Sequence, residues 1–474
     1  MADIYLTNSL TGKKEKFELH NSKEVGMYAC GPTVHNFATI GNFRTYTVAD
    51  ILFRLLGYNS FYTKYVMNLT DVGHLVGDAD TGDDKVEESA KKKGKTAWDI
   101  AEYYTKIFLK DFEALNLRKP WIFPKATDHI EEQIDLIKVL EEKGFTYKTS
   151  DGIYFDTKEF EEKTGRKYGE LSTLDEVLEG ARVRENPEKK NARDFALWKF
   201  SKKPGERHME WESPWGIGFP GWHIECSAMS MKYLGESFDI HIGGEDLRST
   251  HHPNEIAQSE AATDKPFVRY WIHVTFLKVD GKRMSKSLNN FYTISDLQKK
   301  GFDPLALRYL YLTAHYRDSL NFTWESLKAA QTAFDKLRSQ VVGYREKSSR
   351  TTLSPEKQKK IDDFRNRFTL AVCDDINTPR ALAAFWEMLK SNIPSGDKYD
   401  LAMSFDEVLG LGLQGFQTQK VEIPIEVQKL AEEREALRKA EKFEDADKIR
   451  KSMLEEGYLV EDTPEGPKVN KIQK

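Results

Sequence analysis

Apolar positions along the chain follow two different rhythms. From Val25 to Cys30 they form a short run that stops at Gly31-Pro32, and Phe43, Val48, Ile51, Leu52 and Leu55 then recur at helical spacing until Gly57. Asn59–Leu69 alternates aromatic and polar residues as a strand does. Strand, turn, helix and strand in this order predict a parallel, doubly wound sheet. Charged and Gly-rich connections, including Arg182–Arg193, fill residues of about 130–215, and Trp211–Trp222 is dense in Gly, Pro and Trp. An insertion is expected there. The βα rhythm returns at Phe238–Ile242 and Tyr270–Val279, which splits the nucleotide fold into two halves.

After Asp303-Pro304 the pattern turns helical, over Leu305–Ala314, Trp324–Arg345, Pro355–Val372, Pro379–Ser391 and the Glu-, Lys- and Arg-rich Gln428–Glu456. Asp462–Pro467 reads as a polar turn. The expected divisions are a first α/β half at 1–130, an insertion at 131–215, a second α/β half at 216–275, a basic-loop linking region at 276–322, a helical bundle at 323–404 and a separate end at 405–474. The fold class is α/β followed by α-helical domains.

The 474 residues exceed one ordinary core, and 39% hydrophobic with 31% charged residues describes a globular chain rather than a disordered one. A net charge of −5 excludes a uniformly basic nucleic-acid coat but allows a local basic track. Cys30, Cys226 and Cys373 are too few and too dispersed for a disulfide framework, the first residues lack a basic, apolar leader, and no run of apolar residues reaches a bilayer span. A cytoplasmic, monomeric protein without membrane association is expected.

Three constellations carry candidate chemistry. Cys30-Gly31-Pro32-Thr33-Val34-His35 leads to Thr39-Ile40-Gly41-Asn42 at a strand-to-helix turn, where free N–H groups and the helix dipole favour phosphate; Thr39 and Asn42 also suit plain capping. Lys282-Arg283-Met284-Ser285-Lys286-Ser287-Leu288 puts clustered cations on a Ser- and Asn-rich loop able to close over a triphosphate. Cys226, His251, His252 and Glu255 offer thiolate, imidazole and carboxylate ligands for Zn²⁺, Cys30 could add a second sulfur, and His251 and Glu255 share a face if helical.

Other patterns fail on context. Gly216-Ile217-Gly218-Phe219-Pro220-Gly221 matches G-x-G-x-x-G but follows Ser213-Pro214-Trp215 instead of a strand, and Asp78–Asp84 misplaces the glycine of a calcium loop. His251-His252-Pro253-Asn254-Glu255 is not the H-E-x-x-H of a metalloprotease.

Read together, Tyr28–Val34, Asn68–Asp71, Gly221–Met229, Phe238–Asp246, His251–Ser259, Arg283–Leu288, His315–Arg317 and Glu461–Gly466 resemble the cysteinyl-tRNA synthetases over nearly the whole chain. The resemblance implies a split Rossmann-like class I catalytic domain. Thr39–Asn42 stands for the signature His-Ile-Gly-His, with both histidines replaced, and residues 283–287 for Lys-Met-Ser-Lys-Ser, with Arg283 for the first lysine and Lys286 retained. It further implies one Zn²⁺ on Cys30, Cys226, His251 and Glu255, joined by the sulfur of the substrate, and Mg²⁺ with ATP. Catalysis is expected from Lys286, Arg283, Thr39 and Asn42, with ATP held by Thr39, Gly41, Asn42, Asp246 and Lys286. Thr70 and Trp222 would line the cysteine pocket with His241 beside it.

Arg438, Asp447, Arg450 and Asp462 match positions that read the anticodon of tRNA(Cys). Asp447 and Arg450 share a helix face whereas Arg438 lies opposite, so a break near Lys442-Phe443-Glu444 is expected, with Phe443 packed in the turn and Asp445 capping a second helix. The implied activity is cysteine–tRNA ligation through cysteinyl-adenylate. Its rivals are a cysteine ligase of thiol biosynthesis, which would lack the anticodon-reading end, and an inactive RNA-binding paralogue.

Overall fold

A computed structural model of the chain describes residues 2–20, 24–72, 85–171, 186–284, 290–346, 352–416, 424–463 and 466–471. The Asp78–Asp84 pattern and Ser285–Asn289, with Lys286, lie outside the described residues. Two compact units are present, Met1–Gly415 and Phe416–Lys474.

The first unit is built on a four-stranded parallel sheet in the order Val268–Val274, Phe238–Gly244, Val25–Ala29, Thr63–Met67. All of Val25–Ala29 and nearly all of Phe238–Gly244 are buried, which is why these strands read as apolar runs without alternation. The Ile40–Tyr58 helix connects the first two strands and packs Phe43, Ile51, Leu52 and Leu55 inward. Chain order reverses between Val25–Ala29 and Phe238–Gly244. In an open α/β sheet the crevice beyond the strand ends at such a reversal is where ligands bind, and Cys30 and Glu245–Asp246 emerge there.

Four antiparallel strands, Thr146–Thr149, Gly152–Phe155, Phe195–Phe200 and Gly218–Pro220, form the insertion, with the Ile130–Glu142 helix beside them. It therefore extends five residues past the boundary expected at 215, and the second α/β half resumes at the Trp222–Leu234 helix. The Gly-rich string is an edge strand: a Cβ at Gly218 would fall 2.0 Å from the Lys199 carbonyl oxygen.

Leu277–Val279, Lys282–Arg283 and Leu320–Phe322 make a small sheet, with the Pro304–Leu312 helix between its second and third strands, and the helices Trp324–Glu346, Pro355–Cys373 and Thr378–Lys390 follow. Ser395–Leu409 adds a helix that periodicity did not reveal, because Pro394-Ser395-Gly396-Asp397 has turn composition. The division expected at 404/405 falls inside it; the compact units part at Gly415/Phe416.

In the second unit Ile425–Lys439 and Phe443–Glu455 are separate helices, joined through Glu441 at φ 58°. The break sits where expected, for a different reason. Phe443 is 58% exposed, the cap residue Lys442 makes no side-chain cap bond, and Asp445 pairs with Lys448 at 2.9 Å. Tyr458–Thr463 and Gly466–Lys471 form an antiparallel hairpin instead of a turn alone. Val427, Ala431, Met453, Tyr458 and Val460 make up this unit's core.

Candidate active site

The crevice at the sheet reversal opens into a cavity of about 440 Å³ lined by Cys30, Thr39, Gly41, Asn42, Trp222, Asp246 and Arg283 among others. The first wall forms because Gly31 and Asn68 lie backbone to backbone: a Cβ on Gly31 would fall 1.7 Å from the Asn68 carbonyl oxygen, and Asn68 Oδ1 accepts the Gly31 N–H at 2.8 Å. Thr70 N–H donates to Pro32 O at 3.1 Å and Val34 N–H to Thr70 O at 3.0 Å, so the two segments after neighbouring strands close together.

Thr39 caps the Ile40–Tyr58 helix. Its Oγ1 accepts Asn42 N–H at 3.1 Å and donates to Asn42 Oδ1 at 2.7 Å, which also accepts Thr39 N–H at 2.9 Å. The two residues that replace signature histidines are thus spent largely on each other, holding the helix start at the cavity. Across the cavity Arg283 lays its guanidinium over the Phe276 ring at 4.6 Å. Arg44, which no sequence pattern singled out, is buried and donates to four carbonyls: Nη1 to Thr275 O and Phe276 O at 2.7 and 3.0 Å, Nη2 to His315 O and Asp318 O at 3.1 and 2.6 Å. Its burial lowers the guanidinium to about 10.

Cys30 belongs to a buried cluster. Cys30 follows the first strand, Cys226 sits on the Trp222–Leu234 helix, and His251 and Glu255 occupy one face of the His251–Thr263 helix, so elements far apart in sequence meet. Ligand atoms of these four buried residues lie within 4.8 Å of one another. His251 Nε2 is 3.1 Å from Glu255 Oε1 and 3.4 Å from Cys226 Sγ, and Cys30 Sγ is 3.9 Å from Glu255 Oε1. A tetrahedral Zn²⁺ with ligands at about 2.0–2.3 Å separates its donor atoms by roughly 3.3–3.8 Å. The separations bracket that range, and two thiols, an imidazole and a carboxylate are a donor set that could hold such an ion.

A second set, Cys30, His241, His252 and Glu255, shares two members. His241 Nε2 lies 2.9 Å from Glu255 Oε2 and its ring stacks on Trp271 at 4.5 Å, while His252 turns Nδ1 to His273 Nε2 at 2.8 Å and Nε2 to Cys30 Sγ at 3.5 Å. His241 thus anchors the far oxygen of Glu255, leaving Oε1 for Cys30 and His251, as an outer partner of a ligand does. Burial drives the His241 imidazole down to about 3 and pushes Glu255 and Cys30 well above their ordinary values. Two thiols and a carboxylate held neutral by burial become favourable ligands when a cation supplies compensating charge.

Trp222 lines the cavity beside the cluster, its ring 4.4 Å from that of His251. Thr70 is buried, donating from Oγ1 to Glu225 Oε2 at 3.1 Å, and so lies behind the cavity wall beside the cluster helix. Asp246 lies in the turn after Phe238–Gly244 and faces the cavity. In the second unit Arg434 and Arg438 both bind the Asp462 carboxylate, Arg434 at 2.6 and 3.1 Å, while Asp447 and Arg450 are exposed. Sequence reasoning missed His223, 2.9 Å from His251 Nδ1 to Nδ1, and His273 beside His252, which extend the cluster into a buried histidine network. Only the number of histidines within a short stretch hinted at it.

Residues 16–332 match the family model described as tRNA synthetases class I (C) catalytic domain. A cysteine–tRNA ligase 1 of Burkholderia lata is 48% identical over 449 residues, covering 94% of this chain and 92% of the relative. The chain belongs to the cysteine–tRNA ligase family. Family relatives from Treponema denticola and Thermococcus gammatolerans, each 40% identical, cover 97% and 98% of the chain and 98% of their own lengths. A methionyl-tRNA synthetase of Mycobacterium tuberculosis, with methionyl-adenylate bound, superposes with TM-score 0.58 at 14% identity over 82% of the chain and 90% of its own, which shows a shared fold. No helix among the described residues is long and apolar enough to cross a membrane.

Proposed function

We propose that the chain is a cysteine–tRNA ligase: it joins L-cysteine to ATP as cysteinyl-adenylate, releases pyrophosphate, and passes cysteine to tRNA(Cys). The observation that carries the reading is the buried set Cys30, Cys226, His251 and Glu255 directly behind a cavity at the split of the parallel sheet. Zn²⁺ is the ion these residues would hold. Bound there, it supplies a position that takes a thiolate in preference to a hydroxyl.

The residues of the chain do the rest by placement. The cysteine carboxylate, ionised at neutral pH, attacks the α-phosphorus and expels pyrophosphate, and the terminal ribose hydroxyl of the tRNA then attacks the activated carbonyl, expelling AMP and giving up its proton. Trp222 closes the amino-acid side of the cavity, with Thr70 and His241 supporting it from behind. Asp246 accepts from the ATP ribose, the Thr39–Asn42 helix start faces its phosphates, and Arg283 with Lys286 offsets charge on the departing pyrophosphate. Mg²⁺ accompanies ATP. The enzyme acts as a monomer in the cytoplasm, and Arg438, Asp447, Arg450 and Asp462 belong to the tRNA-reading end.

Cysteine-dependent ATP–pyrophosphate exchange tests this directly. Serine should support exchange roughly 10⁴-fold less well, because a site that selects for the thiol is left unsatisfied by the hydroxyl. Cys226→Ser should lose metal, measured by atomic absorption, together with exchange. Metal-free enzyme that still activates cysteine would refute the zinc assignment.

A further inference from the structure

His315-Tyr316-Arg317 takes no part in the proposed reaction, yet the turn it forms, between the Pro304–Leu312 helix and the Leu320–Phe322 strand, is bonded on two sides. Its side chains converge on Asp375. Tyr316 Oη donates to Asp375 Oδ1 at 2.6 Å, Arg317 Nε lies 3.1 Å from Oδ2, and His315 Nε2 lies 3.8 Å from the same oxygen. Its carbonyls serve the cavity wall instead. His315 O and Asp318 O accept from Arg44 at 3.1 and 2.6 Å, Tyr316 O accepts Thr275 N–H at 3.0 Å, and Arg317 O accepts the Thr275 hydroxyl at 2.9 Å.

Asp375 is itself held from behind. It is buried between the Pro355–Cys373 and Thr378–Lys390 helices, and its carboxylate accepts the Thr7 N–H and hydroxyl at 2.8 and 2.7 Å while its own N–H donates to Tyr5 O at 2.9 Å. Both Asp375 and the buried Ile376 have positive φ, 59° and 54°. A branched side chain resists that conformation, so it persists only where the surroundings impose it. Residues strained in this way cluster where the placement of a side chain matters to function.

We infer that Asp375 is a positioning residue for adenylate formation: through the 315–318 turn it fixes Arg44 and Thr275, and with them the wall from which the basic loop departs. Arg44 also donates to the Thr275 and Phe276 carbonyls, both residues line the cavity, and the Phe276 ring carries the Arg283 guanidinium. Arg44 belongs to the helix that Thr39 caps, so a shift of the turn changes the spacing between that helix start and Arg283, the two sides between which the phosphates of ATP would lie. The cysteine side of the cavity is built on the Trp222–Leu234 and His251–Thr263 helices. The inference rests on the ligase reading.

Asp375→Asn, Tyr316→Phe and Arg44→Lys test it by cysteine-dependent pyrophosphate exchange, measured below the melting temperature of each variant. Asn tolerates positive φ as Asp does, so Asp375→Asn keeps the backbone while turning one oxygen into a donor that faces Arg317. It should lower kcat roughly tenfold, part of the hundredfold that a 1 Å misplacement can cost, and Tyr316→Phe, which removes one hydroxyl from the carboxylate, should lower it about threefold. KM for cysteine should stay at the wild-type value in both. Arg44→Lys keeps the charge but loses the fork that spans two pairs of carbonyls, and it too should slow exchange. Because the two residues act through one turn, the double variant Asp375→Asn/Arg44→Lys should be no slower than the slower single variant, the non-additivity of a shared network. Wild-type kcat in Asp375→Asn and Tyr316→Phe, even with a lowered melting temperature, would reduce Asp375 to a stabilising residue and overturn the assignment. Losses that multiply in the double variant, or a rise in KM for cysteine matching the fall in kcat, would overturn it as well. If the wild-type chain supports no exchange, the ligase reading falls instead.

Discussion

Glu255 shows how much of the site depends on single atoms. Its Oε2 meets His241 and its Oε1 meets His251, so one carboxylate orients both sides of the cluster. Remote from this site, Asp111 on the Ala97–Ala114 helix is buried, and burial raises its carboxyl to about 6. The unfolded chain titrates this group near ~3.9, so between these values the folded state holds the extra proton. Stability from this group is fully present below about pH 4 and is lost as pH rises through about 6. Asp111→Asn should therefore raise the melting temperature at pH 7 and leave it nearly unchanged at pH 4. Equal shifts at both pH values would show that the carboxyl is not the titrating group.

Between elements, buried cations do the joining. Asp50 Oδ2 accepts from Arg54 Nε at 2.7 Å and Arg308 Nη2 at 2.5 Å, and Oδ1 accepts Arg118 N–H at 2.7 Å. Arg308 also donates to Leu409 O at 2.7 Å and Leu115 O at 3.0 Å. One fully buried guanidinium thus ties the middles of the Ile40–Tyr58 and Pro304–Leu312 helices to the C-terminal ends of the Ala97–Ala114 and Ser395–Leu409 helices. Removing one partner of a buried ion pair leaves an uncompensated charge and costs about 3–5 kcal/mol. Asp50→Asn should show that loss in urea unfolding; a change below about 1 kcal/mol would mean the carbonyls alone hold the two arginines.

None of this knot was legible in the sequence. Phe43, Ile51 and Leu55 announce the helix that carries Asp50, but partners 68 and 258 residues away leave no trace in local pattern. The same limit governs the site. Local spacing placed His251 and Glu255 on one helix face and Thr39 at a helix start, whereas the meeting of Cys30 with Cys226 became visible only by resemblance and in the fold. The Tyr458–Lys471 hairpin escaped because its charged residues mimic a turn, and the Ser395–Leu409 helix because its first turn does.

At the scale of the molecule, the candidate adenylation site and the residues proposed to read tRNA fall to different units. The cavity and the buried cluster lie within Met1–Gly415, and the residues expected to read the anticodon lie within Phe416–Lys474. Removing residues 416–474 should keep cysteine-dependent exchange near wild type while weakening charging by roughly tenfold or more for each base that is no longer held. Point variants need care, because Asp462 is bound by Arg434 and Arg438 and fastens the terminal hairpin to the Ile425–Lys439 helix. Asp462→Ala would disturb that unit whether or not the carboxylate meets RNA. Asp447 and Arg450 are exposed and three apart on the Phe443–Glu455 helix, so Asp447→Ala and Arg450→Ala remove side chains from a surface already in water. Both should raise KM for tRNA(Cys) and leave KM for cysteine and ATP unchanged. If the truncated chain charges tRNA as well as the full one, the second unit does not read the anticodon, and the roles proposed for Arg438, Asp447, Arg450 and Asp462 fall.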